Sequence, residues 1–343
     1  MPSDRALRVL IGICTAILVV GALYLSDTIF APLAFALLTI AILWPVQERL
    51  QARLPKLIAL ALCMLITVTV LGVFGSLIAW GFGRITRYIL DDAARFQLLY
   101  GTLADWLEGH GIVLAGLWAE HFNVGWLVRL LQLATIRLNG MLTFSLVVLI
   151  YVILGLLEVD AVAAKLRGAG AGEFGRVLLR GGAETAIKLR RFMLVRTLMS
   201  VMTGILVWGF AVLVGLPLAA EWGVIAFALN YIPFIGPFIA TVFPTLFAIA
   251  QFESWQMAAM VFACLNLIQF LVGSYLEPRI AGSALSISPF LVLFAVFFWT
   301  FVWGIAGAFI GVPIAIAILT LCEQHPASRW IANLLGGPER KAA

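Results

Sequence analysis

The 343-residue chain is 63% hydrophobic and 11% charged, with a mean hydropathy of +1.09 and a formal net charge of +5. A single soluble core could not hide that much apolar surface, so a soluble domain is excluded and a polytopic, all-α integral membrane protein is expected. The basic residues are spread between apolar segments and form no one patch, which speaks for membrane topology and for no nucleic-acid partner.

A spanning helix needs about 20 apolar residues, and candidates lie at about 7–25, 29–46, 57–80, 140–157 and 194–214. The first follows Arg5 and Arg8 in the manner of a signal peptide, but no small-residue cleavage site precedes the next apolar run, so it is read as a helix. Between the third and fourth candidates, 81–139 is too long for a bare loop and carries helical periodicity. Phe96, Leu99, Leu103 and Trp106 share one face, as do Leu127, Leu130, Leu131, Ala134 and Leu138. This reads as an extracytoplasmic amphipathic segment, with His110 and His121 as surface residues. A second amphipathic region, 158–191, sets Arg180, Glu184 and Lys188 at the i, i+4 spacing of a solvated face. Cys14, Cys63, Cys264 and Cys322 sit singly in apolar stretches without metal-type spacing and read as small core residues.

Lysine and arginine set the expected orientation. A cytoplasmic N-terminus places Arg5, Arg8, Arg49, Arg53, Lys56, the seven basic residues from Lys165 to Arg191, Arg329, Arg340 and Lys341 inside. Arg84, Arg87, Arg95, Arg129 and Arg137 then fall outside, balanced by Asp91, Asp92, Asp105, Glu108 and Glu120. Both termini are expected in the cytoplasm.

The last third breaks the pattern. The apolar run 222–250 carries Pro233, Pro237 and Pro244, and each proline costs a straight helix about 3 kcal/mol. The run 287–321 holds 35 residues, about 52 Å as one helix against a hydrocarbon core of about 30 Å. It is interrupted by WGIAG at 303–307 and again by Gly311-Val312-Pro313. Two broken or re-entrant helical hairpins flanking one span at about 255–275 are therefore expected. After that span comes LEPRI, in which Glu277 and Arg279 are the only charges between Glu253 and Glu323. They read either as a polar turn closed by Pro278 or as a gate or coupling carboxylate, because a charge in such surroundings must be paired or hydrated. Asn230, Asn266, Gln269, Ser274, Ser283 and Ser286 add uncharged polar groups suited to a neutral polar solute or partial coordination of a cation.

The resulting organisation is three membrane helices in 1–80, the outer segment 81–139, two membrane helices in 140–214 with a cytoplasmic amphipathic helix at 158–191, a transport core in 215–322 and a cytoplasmic tail at 323–343. Paired interrupted segments mark a transport site, since non-helical backbone at membrane depth persists only where protein buries it or water reaches it. No HExxH, GxSxG or paired aspartates occur within the spans, so no enzyme, no metal site and no cofactor beyond a coupling H+ or Na+ is expected.

The strings NYIPFIGPFIA, YLEPRI with GSALSISPF, and GIAGAFIGVPIAIAI resemble, in order and spacing, the C-terminal half of the autoinducer-2 exporter family. The resemblance is strong over 217–321. It implies a homo-oligomeric secondary transporter of the bacterial cytoplasmic membrane, with some members linked to autoinducer-2 export and others to exchange of sodium or lithium for protons. The family's IPxIGP turn falls on Ile232, Pro233, Ile235, Gly236 and Pro237, its EP pair on Glu277 and Pro278, and its glycine elements on Gly304, Gly307, Gly311 and Pro313. With Asn230 and Arg279, these residues form the expected transport pathway. The expected function is export of a small polar solute by alternating access. The alternatives are a Na+(Li+)/H+ antiporter using Glu277 and a non-transporting membrane scaffold, and the partners are lipid and a small solute or monovalent cation.

Overall fold

The computed structural model describes residues 3–92, 109, 124–168, 172–252, 254–281 and 287–336. Among these the protein is almost wholly helical, because backbone groups in lipid must be satisfied within their own segment. Five long helices come first: α1 (Ser3–Leu25), α2 (Asp27–Gln51), α3 (Lys56–Asp91), α4 (Val124–Arg167) and α5 (Gly172–Val214). They are followed by α6 (Ala219–Leu229), α7 (Ile235–Phe252), α8 (Trp255–Gln269), a π-helical turn Phe270–Leu276, α9 (Glu277–Ala281), α10 (Pro289–Gln324) and α11 (Arg329–Leu335). All six expected spans are present as apolar helices, several longer than expected.

Two corrections concern the segments outside the spans. The amphipathic region 158–191 is not a helix of its own: it is the end of α4 and the first half of α5. Both helices continue without a break between the apolar run and the charged one. Likewise α3 runs on to Asp91, taking in the start of 81–139. The face carrying Phe96 to Trp106, His110 and His121 lie outside the described residues, as do the side chains of Leu127 to Leu138.

The chain forms two compact units. One comprises Met1–Leu65, Phe144–Met193 and Gly282–Ala343. Its core joins α2, α3 and α4 through Ala36, Leu43, Leu60, Cys63, Val148, Val152 and Leu156. Pro45 within α2 leaves the Ala41 carbonyl without its helical donor, and Arg190 Nη1 supplies one at 2.8 Å. In this unit α10 is a folded hairpin, not a 36-residue rod. Trp303 (φ −129°, ψ 19°) and Gly304 (φ +59°, ψ −138°) are non-helical. Gly307 lies against the Trp299 carbonyl and Gly311 against that of Ala295, where a side chain at 311 would come within 2.7 Å. Residues eight and sixteen apart touch in this way only if the chain turns back on itself. The tip meets the end of α1: Trp303 Nε1 donates to the Leu23 carbonyl at 3.0 Å, and Phe301 stacks on Tyr24. The base is tied by Lys188 to Glu323 at 2.7 Å, and by a backbone bridge between Ile287 and Gly336.

The second unit comprises Ile66–Thr143 and Leu194–Ala281. Here α6 and α7 form the other hairpin, with Trp222 packed edge-on to Phe247 and Gly236 against the Leu229 carbonyl. The arms have 11 and 18 residues, about 16 and 27 Å, so neither crosses a core of about 30 Å. They are packed among α3, α5 and α8 by Ile85, Val207, Ala211, Ile225, Ala240, Phe247, Val261 and Leu265. Gly204 and Gly223 let α5 and α6 approach so closely that a methyl at either would meet the other's carbonyl oxygen, at 2.9 and 2.8 Å.

Candidate functional site

The prolines of the first hairpin sit where few donors are missed. Pro233 lies in the turn, and Pro237 in the first turn of α7, whose amide would have no helical acceptor in any case. Only Pro244 interrupts an established helix. The turn is tight: Phe234 adopts φ +64°, a left-handed conformation that costs a non-glycine residue about 1–3 kcal/mol.

That turn carries two polar side chains onto α5. Asn230 Nδ2 donates to Ser200 Oγ at 3.3 Å, and the Tyr231 hydroxyl donates to Thr197 Oγ1 at 2.9 Å. Asn230 and Ser200 are buried. One turn further along α5, Thr203 is wholly buried and its hydroxyl has no partner among the described residues. One turn back, Arg196 places Nη1 at 2.9 and 3.1 Å from the two carboxylate oxygens of Glu277. The guanidinium is deeply buried, its side chain 9% exposed, whereas Glu277 retains 26%.

The backbone around Glu277 explains its placement. Pro278 has no amide and its ring would crowd the carbonyl four residues back, so the helix widens into the π turn that ends at Leu276, and the Glu277 amide bonds to Val272. Val272 packs on Val195 and Met199, the residues that flank Arg196 on α5. The carboxylate thus faces α5. Arg279 is exposed and stacks on Tyr275, 3.9 Å from the ring centroid.

The expected pathway residues divide between the units. Asn230, Pro233, Gly236, Pro237, Glu277, Pro278 and Arg279 belong to one, and the first and fifth of these are joined through α5. Gly304, Gly307, Gly311 and Pro313 belong to the other, the first as the turn, the next two as the crossing of the arms and Pro313 buried within the outgoing arm. Of the further polar candidates, Asn266 bonds to its own helix, Ser274 is exposed, and Gln269 Nε2 is buried without a partner among the described residues. Ser283 and Ser286 lie outside them.

Two charged residues escaped the sequence reading. Arg196 lies in the first turn of an apolar span, with Ser200 and Thr203 following on the same face; that polar stripe was the available signal. Glu221 is buried in the first turn of α6 and accepts from Arg84 Nε at 2.9 Å. Arg84, expected only as one of the outer basic residues, is therefore paired with the hairpin.

The AI-2E family transporter profile matches residues 13–327. The chain belongs to the AI-2E transporter family. It is 26% identical to the AI-2 transport protein TqsA of Escherichia coli K12 over 334 residues, covering 96% of each chain. It is 30% identical to the putative transport protein YhhT of the same organism over 200 residues, covering 58% of this chain and 56% of that one. A putative transport protein of Haemophilus influenzae is 23% identical over 97% of each chain. This AI-2E family chain is thus a multi-pass membrane transporter of small solutes, and the polar stripe of α5 with the hairpin turn and Glu277 is its candidate site.

Proposed function

We propose that the protein is a secondary transporter of the bacterial cytoplasmic membrane that exports a small polar solute of the autoinducer-2 kind by alternating access, as a homo-oligomer with both termini in the cytoplasm. The observation that carries this reading is the polar stripe Arg196, Thr197, Ser200 and Thr203, met inside an apolar unit by a broken helix and by Glu277. Polar groups at such depth are costly, and a membrane protein retains them where a solute or ion must be handled. The likeness to a protein named for AI-2 transport supports the solute class. Direct assay is efflux of autoinducer-2 from proteoliposomes holding the full chain, with Asn230→Ala alongside. Efflux lost in the variant supports the assignment of the turn, and efflux no faster than from protein-free liposomes would sink the solute.

A second reading, Na+(Li+)/H+ exchange at Glu277, is favoured by the partial exposure of that carboxylate beside a buried cation. It is tested in everted vesicles with an acid interior. Sodium collapses the pH gradient if Glu277 exchanges ions, and Glu277→Gln abolishes the response.

A further inference from the structure

We propose that Arg196 is the anion-binding residue of this site, and that the transported species is a small organic monoanion moved together with a proton. The proposal rests on the transport reading above and names the charge of its substrate. Arg196 lies 7% exposed between apolar neighbours, so its guanidinium needs a negative partner at every stage of a transport cycle. Its one nitrogen bridges both oxygens of Glu277, which is the contact a substrate carboxylate would make in turn.

The two partners are unequally placed. Glu277 keeps a quarter of its side chain exposed at the end of the π turn, while Arg196 is held inside. A proton can therefore arrive at the carboxylate without moving the arginine. When Glu277 takes that proton the ion pair opens, and the incoming oxyanion occupies the guanidinium in its place. No covalent bond changes. The site is neutral before, as Arg196 with ionised Glu277, and neutral after, as Arg196 with the anion and protonated Glu277. Release reverses both steps, so proton and anion travel in the same direction. The other groups near Glu277 in the described residues do not compete for this role: Tyr231 is engaged with Thr197, and Tyr275 carries Arg279 on its ring. The hydroxyls of Ser200 and Thr203, one and two turns along α5, and the Asn230 amide supply neutral donors for the rest of the substrate.

The test is equilibrium binding of formate, lactate, pyruvate and benzoate to the purified full-length protein at acid and alkaline pH. Wild type binds at least one of them more tightly at acid than at alkaline pH. Glu277→Gln, which keeps the shape of the protonated acid, binds the same anion at alkaline pH. Arg196→Gln loses about tenfold or more at either pH. Absence of binding to all four anions, binding by wild type that ignores pH, or a Glu277→Gln protein with the wild-type pH profile overturns the proposal. The wild-type profile decides the matter even where a variant does not fold. Autoinducer-2 efflux by the same preparation separates the two levels: efflux without anion binding refutes the charge assignment alone, and loss of both refutes the autoinducer-2 solute with it.

Discussion

Replacing Gly311 by alanine tests whether α10 folds back on itself. An added methyl at 311 would stand 2.7 Å from the Ala295 carbonyl oxygen and 3.2 Å from both its carbonyl carbon and Trp299 Cδ1. Ordinary contact begins near 3.4 Å, so the arms must part by about 0.7 Å where they cross, and overpacking of this size costs about 1–3 kcal/mol. Gly307→Ala is expected to be worse, because its methyl would overlap the Trp299 carbonyl outright and backbone cannot rotate away as a side chain can. Gly209→Ala is the control: nothing lies within 4 Å, and alanine is the better helix former by about 1 kcal/mol. Thermal unfolding of the three variants in detergent should rank Gly307→Ala lowest, then Gly311→Ala, then wild type, with Gly209→Ala level or higher. Gly311→Ala and Gly307→Ala proteins that unfold with wild type would mean that the arms do not touch, and that α10 crosses as a single helix.

The ties around the hairpins make further predictions. Arg190→Gln strips the Ala41 carbonyl of its donor at a cost of about 1–3 kcal/mol; adding Pro45→Ala restores a helical amide at 45, so the loss should shrink in a double-mutant cycle of unfolding. Arg84→Met leaves Glu221 buried and alone, lowering stability by about 1–3 kcal/mol, and Arg84→Met with Glu221→Leu should recover most of it in the same assay. Ile280→Cys, at an exposed position beyond Glu277, should react with an impermeant maleimide from the cytoplasmic side alone; labelling of intact spheroplasts would reverse the orientation of α8.

How far the site could be read in advance follows from the kind of interaction involved. Pro233, Pro237, Gly304 and the length of 287–321 announced the breaks, because a missing amide and a missing side chain act locally wherever the chain goes. Glu277 stood out as a charge in apolar surroundings, yet its partner did not. Arg279, two residues away, was the nearer choice in sequence, but a π turn aims Glu277 at α5, and Arg196, 81 positions earlier, meets it there. Charge patterning likewise marked 158–191 as amphipathic without revealing that it continues two spans, or that Lys188 on its charged face meets Glu323.

By itself, then, the sequence determined the class of the protein, the number and order of its apolar segments and the places where helices could not continue, all consequences of side-chain transfer and of single residues' backbone limits. Tertiary structure alone decided that Gly311 marks the crossing of two arms and that a buried arginine closes on Glu277. Those facts depend on packing between residues distant in the chain, where the burial of one group sets the cost of leaving another unpaired.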